Sequence, residues 1–345
     1  MAIESLGGNL GIEVTNLKFG MGSFTEEVHF SGGLRGFRTS QGWALFPVPE
    51  CTDSNALLFH SPESHFEYAT KECRTHFIGT CIHYNLNENS PPMDVWEFGK
   101  RDSNNLNAAD SWAAIASQAA VANDKEYELS AASLSVCLRV AGLRLRDISN
   151  EYHSQLKWAL LENRKSGNWF SNAALLELYA DFHSLLTELA SARDHLAKLA
   201  AIHAGAPDRI DNLARLEDWL KTPGDEYHTT QPLVALLQSA YGTKSKPNWL
   251  RRLGDIRNEM LHRIPMGANK SVSALVLQDI NTSQGIIKTI RLADPHNKLH
   301  SLVNYPEPFV ELSQLSTSLE MLCRTAWKNA KYPPELPNFV ASHDS

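Results

Sequence analysis

The sequence predicts an α+β chain, with a β-rich first half followed by an antiparallel helical bundle that one β-hairpin interrupts. Three observations carry this. Up to about residue 147, apolar residues come in short runs rich in β-branched and aromatic types, bounded by Gly, Pro, Asn and Ser. From about residue 170 they recur at spacings of three, four and seven over long stretches. Near residue 280, two short runs of strand character break that helical pattern.

Strands are expected at "GIEVTNLKF" (11–19), "EEVHF" (26–30), "GWALFPV" (42–48) and "THFIGTCIHY" (75–84). "NENSPPMD" (87–94) and "RDSNNLN" (101–107) have the composition of loops. An Ala-rich helix is expected over 108–122. In "SLSVCLRV" (133–140), Leu134, Val136, Leu138 and Val140 alternate, which predicts a further strand. Gly142 would then mark a bulge before "LRLRD". Ser149 is placed to cap a helix running to about 165, with Tyr152, Leu156, Ala159 and Leu160 at helical spacing. "KSGNWFSN" (165–172) is the junction between the halves.

The longest predicted helix opens the second half, over 172–204. Leu175, Leu178, Phe182, Leu185, Leu189, Leu196 and Leu199 form its apolar stripe, and Gly205 and Pro207 end it. "IDNLARLEDWLK" (210–221) and "PLVALLQSAY" (232–241) predict two more helices. Pro247 suits the first turn of a fourth, where its missing N–H has no helical partner to lose. Trp249, Leu250, Leu253, Ile256, Met260, Leu261 and Ile264 form that helix's stripe, and Pro265 stops it. "SALVLQDI" (273–280) and "GIIKTIRLA" (285–293) predict the hairpin. A last helix over 309–330 carries Leu312, Leu315, Leu319, Leu322 and Ala326. The expected domains are 1–165, β-rich and ending in a helix; 170–331, the bundle; and 332–345, an extended Pro-rich tail.

The whole chain bounds the function. Its 345 residues suit two domains, and its composition is that of an ordinary globular protein. A net charge of -7 disfavours polyanions over the surface as a whole, so any such site is local. No signal peptide, transmembrane segment or internal repeat is expected. Five scattered cysteines fit reduced thiols, and the expected location is the cytoplasm.

The fourth bundle helix provides the local site. Asn258 and His262 are four residues apart and share a face, with Arg257 at its edge. Between 244 and 270, seven Lys or Arg stand against Asp255 and Glu259, a local charge of +5. Lys244, Lys246, Arg251, Arg252 and Arg263 are therefore RNA-binding candidates. A histidine titrating near neutral pH can exchange a proton, and an arginine can hold a phosphate or the charge developing on it. RNA supplies its own nucleophile, the 2′-OH, so such a pair needs no metal. Arg257 would stabilise charge, His262 would move the proton and Asn258 would orient one of them. A plainer account also fits: positive side chains are favoured near a helix C-terminus, and Asn258 then bridges to a neighbouring helix.

"RNEMLH", with Arg257, Asn258 and His262, resembles the motif of the HEPN (higher eukaryotes and prokaryotes nucleotide-binding) superfamily. That motif is Arg, four to six residues, then His, often with a polar residue after the Arg. The resemblance covers roughly 170–330. It implies a metal-independent endoribonuclease of a prokaryotic toxin or phage-defence system, leaving 2′,3′-cyclic phosphate and 5′-OH ends. Two protomers would bring their motifs together, so Arg257 and His262 would act with counterparts from a second chain. The implied partners are an RNA substrate, a second copy and an antitoxin or regulatory protein, with no membrane. The resemblance also admits an inactive member that senses, binds RNA or serves as an immunity partner. Arg146/His153 and Arg291/His296 have similar spacing, but the first crosses a predicted junction and the second contains Pro295.

Asp194, one turn from the Leu196/Leu199 stripe, is the first choice to orient Arg257 or His262 across the bundle; Asp181, Glu188 and His195 lie on the same helix. Cys73, His76, Cys81 and His83 are zinc-type ligands, but their spacing is not a standard one and Cys81 and His83 fall on one strand face. No metal and no cofactor are expected. No phosphate-binding Gly loop, nucleophile elbow or His-Glu-x-x-His motif is present.

Overall fold

The computed structural model describes residues 17–19, 22–48, 57–85, 91, 93–99, 107–221, 229–243, 245–258, 275–292 and 307–335. The fold is α+β. Its compact units are each gathered from three stretches of chain: Met1–Arg101, Gly142–Phe182 and Met266–Ser313 in one, Asp102–Ala141, His183–Pro265 and Gln314–Ser345 in the other. The expected division at 165–170 therefore does not separate them. A boundary legible in sequence needs a linker. Here the chain changes unit inside three helices, α3 (Lys125–Leu161), α4 (Leu175–Ala204) and α8 (Pro308–Ala326).

The first unit is built on an antiparallel sheet of β1 (Leu17–Phe19), β2 (Gly22–Phe30), β3 (Arg35–Thr39), β4 (Gly42–Phe46), β5 (Leu57–Phe59), β6 (Phe77–Asn85) and β7 (Met93–Phe98). The order is β5-β4-β3-β2-β6-β7, and β1 also pairs with β2. Strand β7 begins inside the segment expected to be a loop; Pro91 precedes the ladder rather than interrupting it. Phe30, Leu34, Leu45, Leu57 and Ile78 are fully buried in this unit.

Helix α1 (Pro62–Glu67) starts on Ser61, whose hydroxyl accepts from the Ser64 N–H at 3.2 Å. It lays His65 on the sheet. Gly36 makes room, since a Cβ there would sit 2.2 Å from the imidazole. Trp43 stacks on His65 at 5.4 Å, and Phe30 and Phe59 meet its edge. Burial pushes the imidazole down from an ordinary 6.5 to about 4. The unfolded chain therefore binds this proton first on acidification. The resulting stability is present above pH 6.5 and is lost as the pH falls towards 4. The full difference is worth about 3 kcal/mol. Urea unfolding at successive pH values should show this decline, and His65→Leu should flatten it. An equally steep decline in that variant would place the effect elsewhere.

The strand expected at 133–140 is helix. It lies within α3, whose buried positions Leu134, Cys137, Leu138, Ala141, Leu145, Ile148, Tyr152, Leu156 and Ala159 follow the helical period. Val136, which a strand would have buried, is 57% exposed. Gly142 is a helical residue, with no bulge; a Cβ there would sit 3.8 Å from the Cβ of Phe98.

The hairpin forms as expected, from β9 (Leu275–Thr282) and β10 (Gly285–Leu292). It is not an insertion in the helical unit, however. β9 pairs with β8 (Trp169–Phe170), and the three strands belong to the first unit. Tyr68 donates to Thr282 Oγ1 at 2.6 Å. The buried carboxylate of Glu307 accepts from the Tyr152 hydroxyl, from Leu292 N at 3.4 Å and from Val310 N at 3.0 Å. It ties β10 and α3 to the start of α8 (Pro308–Ala326).

The regular elements of the second unit are helices, apart from one isolated β-bridge, among the described residues. It holds α2 (Ala108–Val121), the first part of α3, the later part of α4, α5 (Leu213–Leu220), α6 (Pro232–Tyr241), α7 (Trp249–Asn258) and the end of α8. Trp112, Ile115, Leu134, Leu196, Leu199, Leu250 and Leu253 form its core, and Trp112 Nε1 donates to the Cys323 carbonyl at 3.1 Å. Among the described residues no helix is long and apolar enough to cross a membrane. Met260, Leu261, Ile264 and Pro265 of the expected fourth helix, and residues 336–345 of the tail, lie outside the described residues.

Candidate functional site

The motif helix is positioned by a short connection. Gly242, with φ of 70°, turns the chain out of α6, and a bridge between Gly242 and Pro247 closes the loop. Asn248 then starts α7, its carbonyl accepting from Arg251 N at 3.0 Å. Leu250, Leu253 and Ile256 bury one face. Gly254 lets α4 approach closely: a Cβ there would sit 3.0 Å from Arg193 Nη1.

Arg257 lies half-buried in the last turn, and its Nη1 donates to Asn258 Oδ1 at 3.2 Å. Its Nε is buried and has no hydrogen-bond partner among the described residues. Asn258, Arg252 and Lys246 are exposed. Lys244, His262 and Arg263 lie outside the described residues. The structure thus brings Arg257 and Asn258 together at the end of α7.

Two of the expected site residues have described partners on other helices. Asp194 pairs with Arg193 at 2.9 Å and accepts from the Leu213 N–H at 3.3 Å, at the start of α5. It holds Arg193 against α7 and helps cap α5; Arg257 is not among its described partners. Arg251 lies over the Tyr241 ring, 3.8 Å from its centre, and pairs with Glu217 at 3.3 Å. Glu217 also takes Lys221 at 3.2 Å. Burial alone would raise this carboxyl, but Lys221, Tyr241 and Arg251 hold it below the ordinary range. Glu217 therefore offsets part of the +5 counted along the sequence. The only signal for it was the four-residue spacing of Glu217 and Lys221.

Sequence reasoning missed a second polar constellation, in the first unit. Arg35 is 1% exposed, and its Nε pairs with Glu27 Oε1 at 2.8 Å. Its Nη1 donates to Ser149 Oγ at 3.0 Å and its Nη2 to the Ser149 carbonyl at 2.7 Å. His29 meets Ser149 Oγ through Nδ1 at 3.2 Å and Glu27 Oε1 through Nε2 at 3.6 Å. Serine, histidine and glutamate thus stand in the order of a nucleophile relay. Ser149 is 0% and His29 2% exposed, however, and Arg35 already occupies the serine oxygen. No substrate carbonyl reaches that hydroxyl, and the cluster holds α3 on the sheet. Burial, with Arg35 beside it, holds His29 neutral, well below the usual histidine range. At the outer side, His83 is held protonated by the Cys81 sulfur and the Glu27 and Asp94 carboxylates, pushed up to about 11.

Compared with known proteins, the chain matches no family model, no curated protein and no solved structure.

Proposed function

We propose that the helical unit is a metal-independent endoribonuclease of the HEPN type, acting as a homodimer in a toxin or phage-defence role. The supporting observation is the Arg257–Asn258 pair, side by side at the end of α7 in a unit whose described secondary structure is helical apart from one isolated β-bridge. The lysines and arginines of 244–270 supply attraction for the RNA backbone.

The reaction follows from the side-chain chemistry. His262 takes the proton of a ribose 2′-OH, and that oxygen attacks the adjacent phosphorus. Arg257 neutralises the charge that grows on the phosphoryl oxygens. The bond to the 5′-oxygen breaks, and that oxygen takes a proton. The products are a 2′,3′-cyclic phosphate and a 5′-OH. Asn258, bonded to Arg257, orients the guanidinium.

The test is incubation of total tRNA and a defined single-stranded RNA in EDTA, with wild type beside His262→Ala. Wild type should cut and leave cyclic-phosphate ends, while the variant should leave the RNA intact at unchanged folding. Equal cleavage by both would remove His262 from the chemistry. RNA binding without cleavage by either would favour an inactive RNA-binding member.

A further inference from the structure

The sheet of the first unit gathers metal-ligating side chains that the ribonuclease reading does not use. On β6, Cys81 and His83 point to the same face, two residues apart. Asp94 of β7 lies directly across from His83 in the ladder. Cys81 Sγ is 4.0 Å from His83 Nδ1, and His83 Nδ1 is 2.7 Å from Asp94 Oδ1. All three ligand atoms lie within 4.8 Å of one another. Cys73 and His76, the other zinc-type residues of this stretch, are not part of the group.

We propose that Cys81, His83 and Asp94 form a binding site for a divalent transition metal of the zinc class. The donor set is the first reason. Thiolate, imidazole and carboxylate together suit zinc or cobalt and do not suit magnesium or calcium, which take oxygen. Distance is the second. Ligands around a tetrahedral zinc stand roughly 3.3–3.6 Å apart. The Cys81–His83 separation is longer than this, the His83–Asp94 separation is shorter, and the third is within 4.8 Å, so rotamer adjustments of about an ångström bring the three to a common centre.

The outer partners are the third and independent reason. The other imidazole nitrogen, His83 Nε2, faces Glu27 Oε2 at 3.2 Å. Glu27 is itself fixed by the buried guanidinium of Arg35. A carboxylate holding the distal nitrogen of a ligating histidine is the usual support of a metal site, because it sets the ring orientation and the tautomer. Cys81 is buried, His83 half-buried and Asp94 exposed, so the open side faces water. Three protein ligands leave the fourth position to a water molecule. Metal binding would release the proton on His83 Nδ1. It would also bind β7, at the end of the sheet order, to β6.

The test is titration of the metal-stripped 345-residue chain with cobalt(II), followed by displacement with zinc. A saturable near-ultraviolet thiolate-to-cobalt band is expected, with visible bands of tetrahedral cobalt and a higher melting temperature. Cys81→Ser should abolish the charge-transfer band. His83→Gln and Asp94→Asn should weaken binding strongly, and Glu27→Gln by about 10–100-fold. Asp94→Asn is the safeguard against misfolding, because that side chain is 51% exposed, and circular dichroism checks the rest. A wild type without a saturable thiolate–cobalt band would overturn the site. So would binding that survives unchanged in the Cys81, His83 and Asp94 variants, since the metal would then sit elsewhere. The outcome does not depend on whether the helical unit cleaves RNA.

Discussion

Arg35→Ala is expected to destabilise the protein by about 3–5 kcal/mol, the cost of breaking a buried ion pair from one side. Its guanidinium pairs with Glu27, and it donates to the side chains of Ser149 and Asn150 and to the carbonyls of Leu34 and Ser149. Burial lowers its pKa to about 10, against the pull of Glu27. Alanine leaves the Glu27 carboxylate without its buried cation and takes one donor from the Ser149 carbonyl, where β2, β3 and α3 meet. The double variant Glu27→Gln/Arg35→Met should recover much of the loss, because replacing both charges removes the uncompensated one. Urea midpoints and slopes for the wild type, the single variant and the double variant measure this. A loss below about 1 kcal/mol for Arg35→Ala would mean that water takes over its contacts.

Arg257→Ala is expected to lower the rate of RNA cleavage by about 10²–10³-fold, the usual cost of removing one donor aimed at developing charge. Thermal stability should change little, because the hydrogen bond of this half-buried side chain runs to its exposed neighbour Asn258. Arg257→Lys should restore only part of the rate, since an ammonium keeps the charge but not the planar fork. Single-turnover cleavage beside thermal melting separates the two effects. An unchanged rate in Arg257→Ala would remove this arginine from the mechanism.

Local patterns were legible where one period dominated. The stripe from Leu175 to Leu199 identified α4, and the runs around 275–292 identified the hairpin. The misread strand at 133–140 has a specific cause. Leu134 and Leu138, four apart, satisfy both a two-residue and a helical period. Only Val136, which is exposed, and Cys137 and Ala141, which are buried, decide for the helix.

At the candidate site, Arg257 and Asn258 were legible because adjacent residues near the end of one helix need no tertiary information. The partners of Arg251 and Asp194 were not, because they arrive from other helices. Tyr241 and Glu217 engage Arg251 from α6 and α5, and Leu213 offers its N–H to Asp194 from the start of α5. The grouping of Glu27, Arg35 and Ser149 escaped notice for the same reason, with a separation of 114 residues between the last two; Ser149, expected to cap a helix, lies inside α3 instead.

By itself the sequence determined the α+β class, the β-rich start, the later helices, the hairpin and the Arg257–Asn258 pair. All of these follow from side-chain periodicity and turn chemistry within a few residues. Tertiary structure alone decided that the hairpin joins β8 and that both units interleave along the chain. It also decided that Arg251 and Asp194 are held by neighbouring helices, and that Cys81, His83 and Asp94 converge. Those outcomes depend on which faces are buried against each other across long sequence separations, which local periodicity does not encode.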